Sequence, residues 1–191
     1  MTKTKGIVKG IFIKPEGEKF SQPVDSVAFT YEGMTGDKYY GSVLMGRTHH
    51  PELSSGKVLL RNTRQVSIMS EDELEELATE LGIAEVRAEW MSANLLISGI
   101  PKLSKLPVGT RFYFSGGLTL VNECQNFPCK TTARIVQEQY PNQSGIEAVF
   151  IKTAFDRRGL VTWVEYPGIL RVGASCEIRL PPAWHNYWQD D

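Results

Sequence analysis

Short apolar runs, each closed by glycine, proline or a polar turn, set the limits on what this 191-residue chain can fold into. They fall at residues 7–13, 24–31, 58–60, 65–69, 95–98, 111–114, 118–121, 160–164 and 175–180, rich in Val, Ile, Phe, Tyr and Thr. Such runs suit half-buried strands, and their turn punctuation points to a barrel or sandwich.

Two helices interrupt the strands. Ser70-Glu71-Asp72-Glu73 spells a capping box, in which Ser70 accepts from the Glu73 amide and the Glu73 carboxylate reaches back. Leu74, Leu77, Ala78 and Leu81 then share one face, and Gly82 ends the helix. The second helix starts near Cys129 and runs through Ala133, Val136 and Gln137 to Tyr140, where Pro141 stops it. A third spans about residues 145–154. The expected class is mainly β with helical insertions (α+β), one domain over 6–180 and a C-terminal tail over 181–191. Residues 41–56 read as a long irregular loop, a place where function often resides.

Composition narrows the function classes. Twenty-one basic against 22 acidic residues give a net charge of -1, which argues against a nucleic-acid footprint. Three cysteines are not a disulfide framework and fit a reducing compartment. No apolar run is long enough to span a bilayer as a helix, and the N-terminal run is broken by Lys9 and Gly10. The expected location is cytoplasmic.

Cys129 is the candidate nucleophile. It follows Pro128 where a strand hands over to a helix, with Lys130 beside it and Arg134 one turn on. A helix N-terminus and nearby cations favour the thiolate, the form that attacks and that binds metal. Gly33-Met34-Thr35-Gly36-Asp37 forms a glycine-flanked turn whose acid suits nearby amides. Arg61 and Arg64 precede the run at 65–69, and arginine forks suit phosphate and carboxylate oxygens. Asn94 opens the run at 95–98, able to tie a loop together or to present a donor and an acceptor. Zinc is disfavoured, because the adjacent pair His49-His50 fits poorly beside Cys124 and Cys129 around one ion.

Read in order, these pieces resemble the MOSC family, named for the C-terminal domain of molybdenum cofactor sulfurases. The Gly33 to Asp37 turn, Arg64 with the run to Met69, Asn94 to Gly99 and Pro128-Cys129 carry the resemblance. Arg158-Gly159-Leu160-Val161 and Gly168-Ile169-Leu170-Arg171-Val172-Gly173 close it. The resemblance implies a MOSC-type β-barrel with an essential cysteine, mapped onto Cys129, that carries sulfur or ligates molybdenum. It also implies cofactor contacts at Arg64, Asn94 and Lys130.

Three functions follow as expectations. In the first, Cys129 takes sulfur as a persulfide from a cysteine desulfurase and passes it to a metal–sulfur or molybdenum cofactor acceptor. Pyridoxal phosphate then belongs to that partner, since the lysine-bearing fold that binds it is missing here. In the second, Cys129 ligates molybdenum in a molybdopterin-dependent oxidoreductase acting on N-hydroxylated substrates. In the third, the chain is a small-molecule-binding barrel whose cysteine is structural.

Overall fold

The computed structural model describes residues 4–46 and 56–182. Alternation of buried and exposed side chains turns the first run into β1 (Lys5–Ile13), and β2 (Gln22–Val24) folds back along it. After β3 (Ser26–Thr30) and β4 (Gly33–Met34), β5 (Val43–Gly46) and β6 (Val58–Arg61) form a hairpin of their own. The fully buried β7 (Val66–Ser70) leads directly into α1 (Glu71–Leu81). Then come β8 (Leu95–Ser98), β9 (Arg111–Phe114) and β10 (Thr119–Gln125). Two helices, α2 (Lys130–Gln139) and α3 (Ile146–Thr153), precede β11 (Leu160–Tyr166), β12 (Gly168–Arg171) and β13 (Ser175–Arg179).

Seven strands close on themselves in the order β1, β13, β9, β10, β11, β7, β8 and back to β1. Closure pairs every backbone edge within the barrel, which an open sheet of this size would leave exposed. All neighbours are antiparallel except β7 and β8, and that parallel step demands a long crossover, supplied by α1 and residues 82–94. Side chains such as Ile11, Ile68, Leu95, Phe112 and Leu160 fill the interior. A second core, with Met69, Leu77, Met91, Val136 and Phe150, fixes the helices against the outside of the barrel. The third sheet, β12-β3-β4, covers another part of the wall.

The capped helix forms as its sequence spells it, with one difference. Ser70 accepts from the Glu73 amide at 3.4 Å, and Gly82 closes the helix in the left-handed region (φ 65°). The Glu73 carboxylate does not return to the cap. It accepts instead from the Ser104 amide (3.0 Å) and hydroxyl (2.6 Å). At 5% exposure, burial pushes its carboxyl above the usual range while these two donors pull the other way. A buried carboxylate gains more from two fixed donors than from one amide at an exposed helix end. The loop expected at 41–56 is corrected as well: Val43 to Gly46 pair with Val58 to Arg61 in antiparallel register. His49, His50 and tail residues 183–191 lie outside the described residues.

The register at the centre of the barrel decides where the site forms. Ile68 faces Leu95 on one side and Leu160 on the other, so β8 and β11 both begin beside it. The segments feeding those strands, 91–94 and 157–159, therefore meet at β7. Gly159 makes this possible: a Cβ there would lie 1.9 Å from the Ile68 carbonyl oxygen, and its φ is +79°. Its amide donates to Ser104 Oγ (2.7 Å), linking it to the Glu73 carboxylate. Gly159→Ala should cost about 3 kcal/mol or more in urea unfolding, from overpacking and positive-φ strain together. A loss below about 1 kcal/mol would show that the two backbones separate freely.

Candidate functional site

The Gly33 to Asp37 turn ends on a carboxylate that is 5% exposed. Asp37 accepts from the amides of Lys14 (2.9 Å) and Tyr39 (2.9 Å), and from the side-chain amide of Asn94 (2.8 Å). Asn94 also donates to the Phe12 carbonyl (3.2 Å) and accepts from the amide (2.9 Å) and hydroxyl (3.0 Å) of Ser67. One side chain thus ties β1, the turn, β7 and the start of β8 together. Its amide is spent on protein groups, and at 3% exposure it sits behind the surface.

Behind this clamp three cations gather. Lys14 Nζ donates to Ser92 Oγ (2.7 Å) and to the Lys19 carbonyl (3.0 Å). Its ammonium is pulled below the usual lysine range by burial, then by Lys38, with Arg158 adding to this and Asp37 opposing it. Ser92 itself stands in the left-handed region (φ 53°). Arg158 is 6% exposed; its guanidinium donates to the Met91 carbonyl and touches Met69 Sδ (3.5 Å), while Nε has no partner. Burial lowers the Arg158 pKa to about 10, and the charges of Cys129 and Tyr39 hold it up. At neutral pH it is a buried cation with no carboxylate among the described residues at hydrogen-bonding distance. That arrangement is costly unless an anion stands nearby.

The thiol that interacts electrostatically with this cation, and whose thiolate would balance it, is Cys129. It is exposed, caps α2 in extended geometry (φ -135°, ψ 164°), and its Sγ lies 3.3 Å from the Thr132 hydroxyl. Desolvation pushes its thiol up. The Thr132 hydroxyl, the amides of Thr132 and Thr131 and the charge of Arg158 outweigh that, so the net shift is downward. The helix N-terminus read from sequence does act on the thiol. The cation acting on it is Arg158, which the sequence placed only within a closing motif. Nothing in its local sequence marks it: Arg157 beside it points the other way, to Glu76 (3.3 Å) and Glu80 (2.5 Å) on α1.

The other expected site residues are dispersed. Lys130 is the exposed first residue of α2, and Arg134 faces Glu147 at 3.9 Å. Arg64 is exposed, with Nη1 3.5 Å from the sulfur of Cys124. Cys176 is buried in the barrel, where desolvation drives its thiol far above the usual range. Among the described residues no group of three or more His, Cys, Asp or Glu could hold a metal ion.

The MOSC domain family model matches residues 55–177 of this sequence. The chain belongs to the MOSC family. A Bacillus subtilis (strain 168) protein, YuaD, whose given name includes the words metal-sulfur cluster biosynthesis, is 32% identical over 171 residues, covering 90% of this chain and 88% of that one. The crystal structure of the Bacillus subtilis YuaD protein matches with a TM-score of 0.86 at 30% identity, covering 93% and 97% of the two chains. YiiM from Geobacillus stearothermophilus shares the fold alone, with a TM-score of 0.60 at 14% identity over 91% of this chain and 75% of that one. The MOSC barrel expected from the sequence is thus the fold observed.

The thiol geometry yields a pH dependence. A lowered folded pKa means the thiolate persists to lower pH than in the unfolded chain, so alkylation of Cys129 should plateau earlier as pH rises. Thr132→Val removes one stabilising hydrogen bond, so the midpoint should move up and the neutral-pH rate fall about threefold or more. Rates of iodoacetamide labelling, read by peptide mapping from pH 5 to about 10, test this. An unchanged midpoint in the variant would remove the hydroxyl from the cause.

Proposed function

We propose that this MOSC protein carries sulfur on Cys129 and passes it to a metal–sulfur acceptor. The observation that carries the reading is a thiol that is exposed and yet held toward the thiolate by a helix N-terminus, a hydroxyl and a buried guanidinium. Transfer needs both properties: access for a second protein and a thiolate at neutral pH.

In the loading step the Cys129 thiolate attacks the outer sulfur of a donor persulfide. A new S–S bond forms at Cys129, the donor S–S bond breaks, and the donor leaves as a thiolate. In delivery, an acceptor thiolate or metal-bound sulfide attacks the outer sulfur and Cys129 departs as its thiolate. Each step exchanges one S–S bond for another, so no external oxidant or reductant enters. Arg158 and the fixed amides of Thr131 and Thr132 keep positive potential behind the sulfur in both states.

A cysteine desulfurase suits the donor role, since a protein-borne persulfide must reach a surface thiol. Phe127, 59% exposed and two residues from Cys129, stacks on Phe155 with ring centroids 5.9 Å apart. Exposed aromatic area beside a reactive atom favours a transient protein contact over a deep small-molecule pocket.

The cations favour a second reading. Lys14, Lys38 and the unpartnered Nε of Arg158 fit an anionic cofactor, and Cys129 supplies a thiolate of the kind molybdenum accepts. Lys14 and Arg158 would hold the phosphate of a molybdopterin and Cys129 the metal. Of the contacts the family pattern implies, Asn94 would act only by fixing the Asp37 turn, its amide being spent on protein groups, while Arg64 and Lys130 stand exposed outside this set. Bound there, the cofactor would supply two-electron oxygen-atom chemistry toward N-hydroxylated substrates.

Incubation with a desulfurase and cysteine should place a cyanide-reactive sulfur on Cys129, seen as a 32 Da mass gain (the mass of one sulfur atom, about 32). Cys129→Ser should abolish it, and Cys124→Ser should leave it intact. Loading on Cys124 alone would sink the carrier reading. Stoichiometric molybdenum retained by the wild type and lost in Cys129→Ser would favour the second reading.

A further inference from the structure

Away from Cys129, the β5–β6 hairpin and β11 border a half-open cavity of about 370 Å³. Neither Cys129 nor Arg158 lines it. This volume lies at the small end of the roughly 300–1,000 Å³ range of ligand sites. Its walls are aromatic and aliphatic: Trp163 and Val164 from β11, Val43 from the hairpin, and Tyr31, which is 63% exposed.

The polar side chains on the wall divide sharply. Asn62 donates to the carbonyls of Tyr39 (2.8 Å) and Gly41 (3.0 Å) and accepts from the Arg64 amide (3.1 Å). Gln65 donates to the Tyr31 carbonyl (2.9 Å) and accepts from the Val164 amide (2.9 Å). Both are 3% exposed, so they build the wall and offer nothing to a ligand. That leaves Ser42 and Arg61. The Arg61 guanidinium lies 5.8 Å from the Trp163 ring centroid and has no ion pair among the described residues. None of the described lining residues is acidic.

An apolar, aromatic-walled cavity with one uncommitted guanidinium and no acid among its described residues is selective on two counts. The rings favour a flat hydrophobic body, and the fork favours a carboxylate or phosphate that it can bind through two donors. We propose that this cavity is a binding site for a small planar aromatic anion, with Arg61 holding the acid group and Trp163 and Tyr31 flanking the ring. The site is independent of the sulfur-carrier reading, because it uses none of the residues around Cys129.

The test uses the full chain with 2-naphthoate as probe and neutral 2-naphthamide as its control, measured by calorimetry. Naphthoate should bind the wild type, and Arg61→Met should weaken it about tenfold or more while the amide is unaffected. Arg61→Lys should recover only part of the loss. Trp163→Leu should weaken both probes, with circular dichroism confirming the fold. Cys129→Ser should bind naphthoate as the wild type does. The proposal fails if naphthoate does not bind the wild type, if Arg61→Met binds it equally well, or if Cys129→Ser abolishes binding and so places the probe at the thiol. Sulfur loading on Cys129 should be the same in Arg61→Met, so failure here leaves the carrier reading untouched.

Discussion

The site is organised around one unpaired charge. Arg158 brings a guanidinium into the packing between β7 and the segment before β8, where it bonds a carbonyl and touches a thioether, with Cys129 and Tyr39 as the groups whose charge favours it. Burying a cation without a counter-ion costs several kcal/mol even after relaxation. Burial lowers its pKa to about 10, against the pull of Cys129 and Tyr39, and still leaves it charged at neutral pH. The cost is offset when Cys129 is a thiolate, because each charge then stabilises the other. Guanidinium and thiolate are therefore one electrostatic unit, and a change to either alters the proton affinity of both.

That unit stands only because backbone geometry forces it together. Gly159 brings β11 against the Ile68 carbonyl at a distance no side chain allows, which aims Arg158 inward. The Asp37–Asn94–Ser67 chain fixes the opposite wall, joining the ends of β1 and β7 to the start of β8. The Glu73–Ser104 pair, which accepts nothing from its own helix cap, steadies the Gly159 amide from behind. Each is a buried polar network with its hydrogen bonds made, the condition under which such networks rigidify a site and do not weaken it.

Much of this frame was legible in the chain. Short alternating runs gave the barrel because a strand's period of two survives any tertiary context, and Ser70 and Gly82 bounded α1 because caps are local chemistry. Cys129 at the head of α2 was visible for the same reason. Arg158 was not. Arg157 and Arg158 are chemically identical neighbours, and which one turns inward depends on the register of Ile68 with Leu160, a long-range fact. Lys14 was invisible too, since a lysine just past a strand end reads as solvated until the turn at Gly33 to Asp37 folds over it. The hairpin of Val43 to Gly46 with Val58 to Arg61 was hidden by the length of the segment joining its strands, which breaks the local turn signal.

The three cysteines show why activation had to come from behind. Burial alone raises a thiol's pKa, as at Cys176, while full exposure leaves it without the fixed donors that favour a thiolate. Cys124 has a guanidinium 3.5 Å away, that of Arg64, but this cation is itself exposed. Only at Cys129 does the sulfur face solvent while its stabilising groups lie in the interior: helix amides beneath it and a desolvated cation behind. A partner can then approach from the open side without displacing the groups that hold the charge. An activated thiol of this kind works by separating the face that reacts from the face that is stabilised.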